Sequence, residues 1–284
     1  MEVNNDFIIP TSELIKLKKY KMKQITKAII LFISLLVSTS TFAQNSKVLF
    51  VMSEADTLLL KKGKKKRSTG VFLNEFYQAY KAIINEGYTV DFATPSGGKA
   101  SIDQESLNDD YWKENLEMKQ EAIDFWESNT AFSNPMILEE AIERESEYIG
   151  LVIPGGQGLM VDLIYDQNTP ELLKSFAKDQ KAIGLICHAP SLITTIPKND
   201  NPFIGYNVNS VTGFEEFYIE KFIMKGKPKN RKIAKQLKKL GLKYEKGRPG
   251  KSFAIRDRNL VTSQNPYSGN KFNTLYLKAL EEVK

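Results

Sequence analysis

Four short runs constrain this chain more than any other feature. Lys47–Ser53 (KVLFVMS), Thr89–Pro95 (TVDFATP), Tyr148–Pro154 (YIGLVIP) and Lys181–Cys187 (KAIGLIC) are apolar without the alternation of a half-exposed strand. Strands buried on both faces read this way, and both faces are covered when helices flank a parallel sheet. Between the first two runs, Phe72, Phe76, Tyr80 and Ile83 fall at helical spacing in Val71–Glu86, with Gly87 as the stop. Between the last two, Thr169 caps a helix that runs from Pro170 to Lys178. Strand and helix in alternation predict an α/β fold with a doubly wound, mostly parallel sheet and helices on both faces. Phe253–Ile255 and Leu260–Thr262 flank a hairpin turn, and a last helix starts near Asn270. Residues 96–133 interrupt the alternation with a polar and aromatic insertion, either a lid over the strand ends or a helical layer on the sheet.

The first 43 residues belong to a different kind of segment. Lysines 16, 18, 19, 21, 23 and 27 precede the apolar stretch Ala28–Val37, and Thr41-Phe42-Ala43 follows small polar residues. A charged region, a short apolar core and a small-x-small site read as a secretory signal cut after Ala43, with Met22 as an alternative start. The stretch is too short for a retained membrane segment. The expected product is an exported, periplasmic or secreted protein of one domain, residues 44–284. Losing six lysines and three acids lowers the net charge from +6 to +3. The basic runs Lys61–Arg67 and Lys225–Lys239 lack interleaved aromatic residues, so they read as solvated faces and not as a nucleic-acid surface. One Cys and one His in 284 residues exclude a disulfide framework and a Cys/His zinc site, and an oxygen-ligand metal site has no motif here, so no metal is assigned.

Cys187 ends the fourth apolar run, and His188-Ala189-Pro190 opens the next helical stretch. A strand–nucleophile–helix elbow exposes a side chain above the sheet with backbone N–H groups aimed at it, which favours thiolate. A buried Cys acting as a small hydrophobe is the usual reading of a lone cysteine, but here the chain's only His is its neighbour. Pro154-Gly155-Gly156-Gln157-Gly158 follows the third run. Its glycines permit a tight turn whose N–H groups, with that of His188, can face an oxyanion at the sulfur.

Seven segments in order resemble the ThiJ/PfpI superfamily, whose fold is flavodoxin-like and related to the class I glutamine amidotransferases. They are Thr69–Glu75 (TGVFLNE), Ala93–Gly98 (ATPSGG), Ile102-Asp103 with Ser106-Leu107, Ile153–Gly158 with Asp162-Leu163, Ile186–Pro190 (ICHAP), Val211–Phe214 (VTGF) and Leu260–Pro266 (LVTSQNP). The branch they resemble most holds heat-inducible chaperones and glutathione-independent glyoxalases (glyoxalase III). At one position the chain departs from it: Gln157 stands where that branch usually has His.

The resemblance implies Cys187 as nucleophile, His188 as its proton-transfer partner and Glu75 as an acid beside the sulfur. Two negative charges in contact oppose each other, so thiolate with protonated Glu75 is the favoured form of the pair. Gly155, Gly156 and His188 would hold the oxyanion, and Glu215 or Glu216, after the Thr-Gly-Phe segment, would be an auxiliary acid. The implied reaction converts a 2-oxoaldehyde such as methylglyoxal to a hydroxy acid through a thiol adduct, with no cofactor, metal or glutathione. Glycated or unfolded proteins are further implied partners, and dimers are common in the family. The rival readings are a holdase chaperone or redox-sensing module, and a Cys-dependent hydrolase or peptidase of the same superfamily.

Overall fold

Apolar strands that need cover on both faces occupy the centre of a sheet. In the computed structural model, which describes residues 47–283 except residue 114, together with residues 22, 24 and 25, they do so here. The segment read as an export signal lies outside the described residues but for those last three. The chain divides into two units between residues 45 and 46, and the second carries the sheet and the site.

The strands are β1 (Lys47–Val51), β2 (Thr57–Leu60), β3 (Lys65–Ser68), β4 (Thr89–Thr94), β5 (Met136–Ile137), β6 (Tyr148–Ile153), β7 (Ala182–Ile186), β8 (Asn207–Val208), β9 (Lys243–Tyr244), β10 (Ala254–Asp257) and β11 (Leu260–Ser263). Seven form one sheet in the order β10-β11-β7-β6-β1-β4-β5. All of its pairings are parallel except the β10–β11 hairpin. Without the two-residue edge strand β5, the parallel strands run in the flavodoxin order, which reverses between β1 and β6. The expected doubly wound fold is therefore present, and its four central strands are the four apolar runs. A crevice forms where the order reverses, beyond the carboxyl ends of the strands.

The helices are α1 (Leu73–Asn85), α2 (Leu116–Ser128), α3 (Thr130–Ser133), α4 (Leu138–Glu143), α5 (Asn168–Lys178), α6 (Gly213–Tyr218), α7 (Ile233–Leu240) and α8 (Gly269–Glu281). Helix α1 stops at Gly87, whose φ of +85° suits a residue without Cβ. The capping of α5 differs from the expectation. Asp166 Oδ1, not Thr169, accepts the N–H groups of Asn168 and Thr169 at 2.9 and 2.7 Å, and the Thr169 hydroxyl also donates to it.

The 96–133 insertion has two parts. Its helices α2 and α3 cover α1, with Phe125 against Tyr80 at a centroid distance of 4.5 Å and Phe132 against Phe76 at 5.0 Å. Its leading turns, Gln104–Leu107 and Asp109–Tyr111, are pinned by the buried Trp112, whose indole N–H donates to the Ser106 carbonyl at 2.7 Å. The basic run Lys61–Arg67 supplies the turn and second strand of the β2–β3 hairpin. Leu58 and Leu60 pack beneath it on Met224, forming a small satellite core. In Lys225–Lys239 the buried residues Ile233 and Leu237 face inward, while Lys235, Lys238 and Lys239 are exposed. Among the described residues, no helix is long and apolar enough to cross a membrane.

Candidate active site

Four chain segments converge beyond the sheet. Strand β7 ends at Ile186, and Cys187 turns the chain with φ +58°, a left-handed conformation that strains a residue bearing a Cβ. Two hydrogen bonds hold it there: its N–H donates to the Ser263 carbonyl at 2.8 Å, and its carbonyl accepts from Val211 N–H at 2.9 Å. The stretch after the elbow, Ala189–Thr195, is a 3-10 helix with Pro190 in its first turn. The elbow motif predicts an exposed side chain, but packing of the glycine turn and α1 against it leaves Cys187 only 6% exposed, in the lining of a cavity of about 300 Å³.

The glycine turn after β6 makes close approach possible. A Cβ on Gly155 would lie 2.3 Å from Glu75 Oε2 and 2.7 Å from Cys187 Cβ, so α1 and the elbow meet in the space that a side chain would fill. Gly156, at φ +115°, has its N–H without an acceptor among the described residues. The N–H of His188 bears on the sulfur. These two are the donors that an oxyanion at the sulfur would find, whereas the N–H of Gly155, also expected there, bears on Glu75 instead.

Glu75, on the first turn of α1, is 3% exposed and is no solvated helix carboxylate. Neither of its oxygens has a partner at ordinary hydrogen-bonding geometry, though the Cys187 thiol and the Gly155 N–H lie near enough to lower its affinity for protons. Burial outweighs them and raises its pKa from 4.5 to about 8. Glu75 is therefore protonated at neutral pH. Burial also pushes the Cys187 thiol up, and an ionised Glu75 pushes it further, whereas the His188 N–H lowers it. Once Glu75 holds its proton, its charge no longer opposes thiolate formation.

His188 adjoins the sulfur, with Nδ1 3.2 Å from Sγ, and Nε2 meets the Gln157 amide nitrogen at 2.9 Å. An amide nitrogen only donates, so in this arrangement Nε2 accepts and Nδ1 carries the hydrogen that faces sulfur. Burial lowers the His188 pKa to about 4, which leaves the ring neutral at pH 7. Gln157 thus occupies the orienting position for which the sequence offered no candidate. Its lack of acid–base chemistry directs attention away from it, but its place in the glycine turn was the available signal.

The two auxiliary acids separate. Glu215 lines the cavity, but its oxygens accept from Thr212 N–H and hydroxyl, Gly250 N–H and the amides of Gln264 and Asn265. It holds α6, the 248–250 loop and the end of β11 together. Glu216 faces away and accepts from Lys232 N–H at 2.7 Å, beside the start of α7. Sequence reasoning also missed the charged wall of the cavity, where Arg67 lies 3.7 Å from Asp103 and 3.9 Å from Glu105. Among the described residues, no group of three or more His, Cys, Asp or Glu is arranged to hold a metal ion.

Comparisons with known proteins agree with this architecture. Residues 67–214 match the family described as ThiJ/PfpI family-like. The chain is 26% identical over 256 residues to the protein/nucleic acid deglycase HchA of Pseudomonas aeruginosa (strain UCBPP-PA14), covering 84% of this chain and 81% of that protein. It is 24% identical over 198 residues to protein/nucleic acid deglycase 1 of Escherichia coli (strain K12), covering 66% of this chain and 65% of that one. Among solved structures, glyoxalase III from Candida albicans superposes with a TM-score of 0.69 at 22% identity, covering 83% of this chain and 98% of that chain. This structural likeness concerns the fold.

Proposed function

The chain belongs to the ThiJ/PfpI family, and from that premise we propose that it converts 2-oxoaldehydes to 2-hydroxy acids through a thiol adduct at Cys187. The observation that carries this reading is the meeting of three groups, two of which, Cys187 and His188, line the cavity. A strained, pinned cysteine lies beside a buried acid with a pKa of about 8 and a neutral histidine whose Nδ1 is 3.2 Å from the sulfur. Deglycases at about a quarter identity support the same class of chemistry.

The steps follow from where the proton resides. Glu75 keeps its own proton at neutral pH and so does not oppose ionisation of the sulfur, while burial holds Cys187 mainly as thiol. The reacting thiolate is the minor form, reached by loss of the thiol proton to water and stabilised by the ring and backbone N–H groups of His188. The thiolate adds to the aldehyde carbon, and the oxygen that becomes negative meets the Gly156 and His188 N–H groups. Glu75 protonates that oxygen to give a hemithioacetal and becomes a carboxylate. It then takes the proton from C1 and returns it to C2 by way of the enediol, which leaves a 2-hydroxyacyl thioester. Water releases the acid and the thiol. His188 is the proton-transfer residue implied by the family resemblance. With Nε2 engaged by Gln157, its part here is to orient and stabilise the sulfur, and Glu75 carries the proton. The same thiolate attack on the carbinol carbon of an early glycation adduct would release an amine.

The test is lactate formation from methylglyoxal by the purified protein without glutathione or metal. Activity that disappears in Cys187→Ser and falls in Glu75→Gln supports the reading; turnover that survives Cys187→Ser overturns it. One observation favours a second reading. Phe214, Phe217, Tyr218 and Phe222 are 62%, 50%, 50% and 52% exposed on consecutive turns, a surface that a holdase chaperone would use. Suppression of client aggregation that persists in Cys187→Ser would support it. We also propose that residues 1–43 direct export. The amino terminus of exported protein would then be Gln44, and retention of Met1 or Met22 in the cytosol would contradict the proposal.

A further inference from the structure

The cavity above Cys187 is much larger than methylglyoxal requires. A dry apolar cavity of about 150 Å³ holds a benzene ring, and this one measures about 300 Å³. The size leaves room for a ring-sized group beside the two-carbon head that reacts at the sulfur. The walls match such a group. Phe72 and Tyr111 meet edge to face at 4.9 Å, and Tyr267 lies 6.0 Å from Tyr111, centroid to centroid. Phe214, Tyr218 and Ile223 line the cavity from α6 and the π-helical turn Ile219–Ile223 that follows it. Edge-on and offset contacts with aromatic side chains favour an aromatic occupant over a methyl group.

The charged lining restricts what the group may carry. Arg67 supplies the one positive charge among the lining residues, against the carboxyl groups of Asp103, Glu105 and Glu215. Arg67 stands between Asp103 and Glu105, so its charge is already answered. An anionic tail would meet an excess of like charge.

We infer that the substrate class is 2-oxoaldehydes bearing a neutral, bulky apolar substituent, aryl in the first instance, with methylglyoxal a poor fit. The inference rests on the glyoxalase reading above and narrows it. For phenylglyoxal the balance is that of the proposed reaction: thiolate adds to the aldehyde carbon, the C1 proton moves to C2, and water releases mandelate, with no external oxidant or reductant.

The test compares kcat/KM for phenylglyoxal, 4-carboxyphenylglyoxal and methylglyoxal in the purified protein and in Ile223→Trp, which narrows the apolar wall. Burying a phenyl ring should favour phenylglyoxal over methylglyoxal by about tenfold or more, with 4-carboxyphenylglyoxal below phenylglyoxal. Ile223→Trp should reduce the phenylglyoxal-to-methylglyoxal ratio severalfold. Equal or better use of methylglyoxal, a preference for the carboxylated substrate, or a ratio unmoved by the substitution overturns the inference. If the protein turns over none of the three, the glyoxalase reading fails by itself. The cavity is then judged by protection of Cys187 from iodoacetamide. Acetophenone should protect at concentrations about tenfold or more below those of acetone, by the same burial argument; equal protection overturns the inference.

Discussion

Replacing Glu75 by Gln should lower activity and yet stabilise the protein. Glu75 has a pKa of about 8 in the folded chain, against 4.5 when solvated. Below 4.5 the carboxyl is protonated in both states and costs nothing. Between 4.5 and about 8 the unfolded chain releases a proton that the folded chain keeps, so stability falls as pH rises. Above about 8 the loss is complete. At about 1.36 kcal/mol for each pH unit, the cost reaches on the order of 3 kcal/mol at pH 7 and under about 1 kcal/mol at pH 5. Gln has nearly the same shape and no titration, so Glu75→Gln should gain these amounts. His188, lowered to about 4, and Glu216, raised to about 7, titrate in both proteins and cancel in the difference. The assay is urea unfolding of both proteins at pH 5, 6, 7 and 8, with equal m-values as the check that the unfolded states match. A stability gain that grows with pH is expected. A variant less stable than the parent at pH 7, or a difference that does not change with pH, would refute the reasoning that burial governs Glu75.

Three further outcomes are expected. Gln157→Leu removes the donor that fixes the His188 ring, so kcat for the aldehyde should fall about tenfold to a hundredfold with less effect on KM, and the activity's pH profile should shift; an unchanged profile would leave Gln157 a packing residue. Gly155→Ala places a methyl group 2.3 Å from Glu75 Oε2 and 2.7 Å from Cys187 Cβ. It should lower stability by about 1–3 kcal/mol in urea and reduce activity in the fraction still folded. Phe132→Ala opens a cavity among Phe76, Phe92 and Phe125 and should cost about 3–5 kcal/mol in a single unfolding transition. A separate early transition would show instead that the insertion unfolds independently of the sheet.

The parts of this fold legible in the sequence are those where one physical demand dominates. β1, β6, β7 and the second half of β4 are buried on both faces, and their runs say so without context. The elbow is equally plain, because Cys187, His188 and Pro190 sit together at a strand end. Elements that depend on distant partners were harder to read. The β2–β3 hairpin is hidden in a lysine-rich run, since only Leu58 and Leu60 are buried, and against Met224 far along the chain. β8 and β9 have two residues each, and their pairing joins positions 207–208 to 243–244. Glu75 shows its motif in sequence but not its surroundings. That it is buried follows from the way α1 lies against the Gly155 turn, where the absent Cβ leaves space for its carboxyl. Gln157 has no acid–base chemistry to mark it in the sequence. Its contact with His188 depends on two turns, after β6 and after β7, meeting at the sheet edge.

The most direct test of the central claim is to look for the covalent intermediate. The protein would be mixed with methylglyoxal or phenylglyoxal, quenched in acid within the first turnover, digested and mapped by mass spectrometry. A hydroxyacyl or hemithioacetal adduct on the peptide that contains Cys187, appearing and decaying with product formation and absent in Cys187→Ser, is the expected result. Product formed at the full rate with Cys187 unmodified, or modification confined to lysines and arginines, would contradict it.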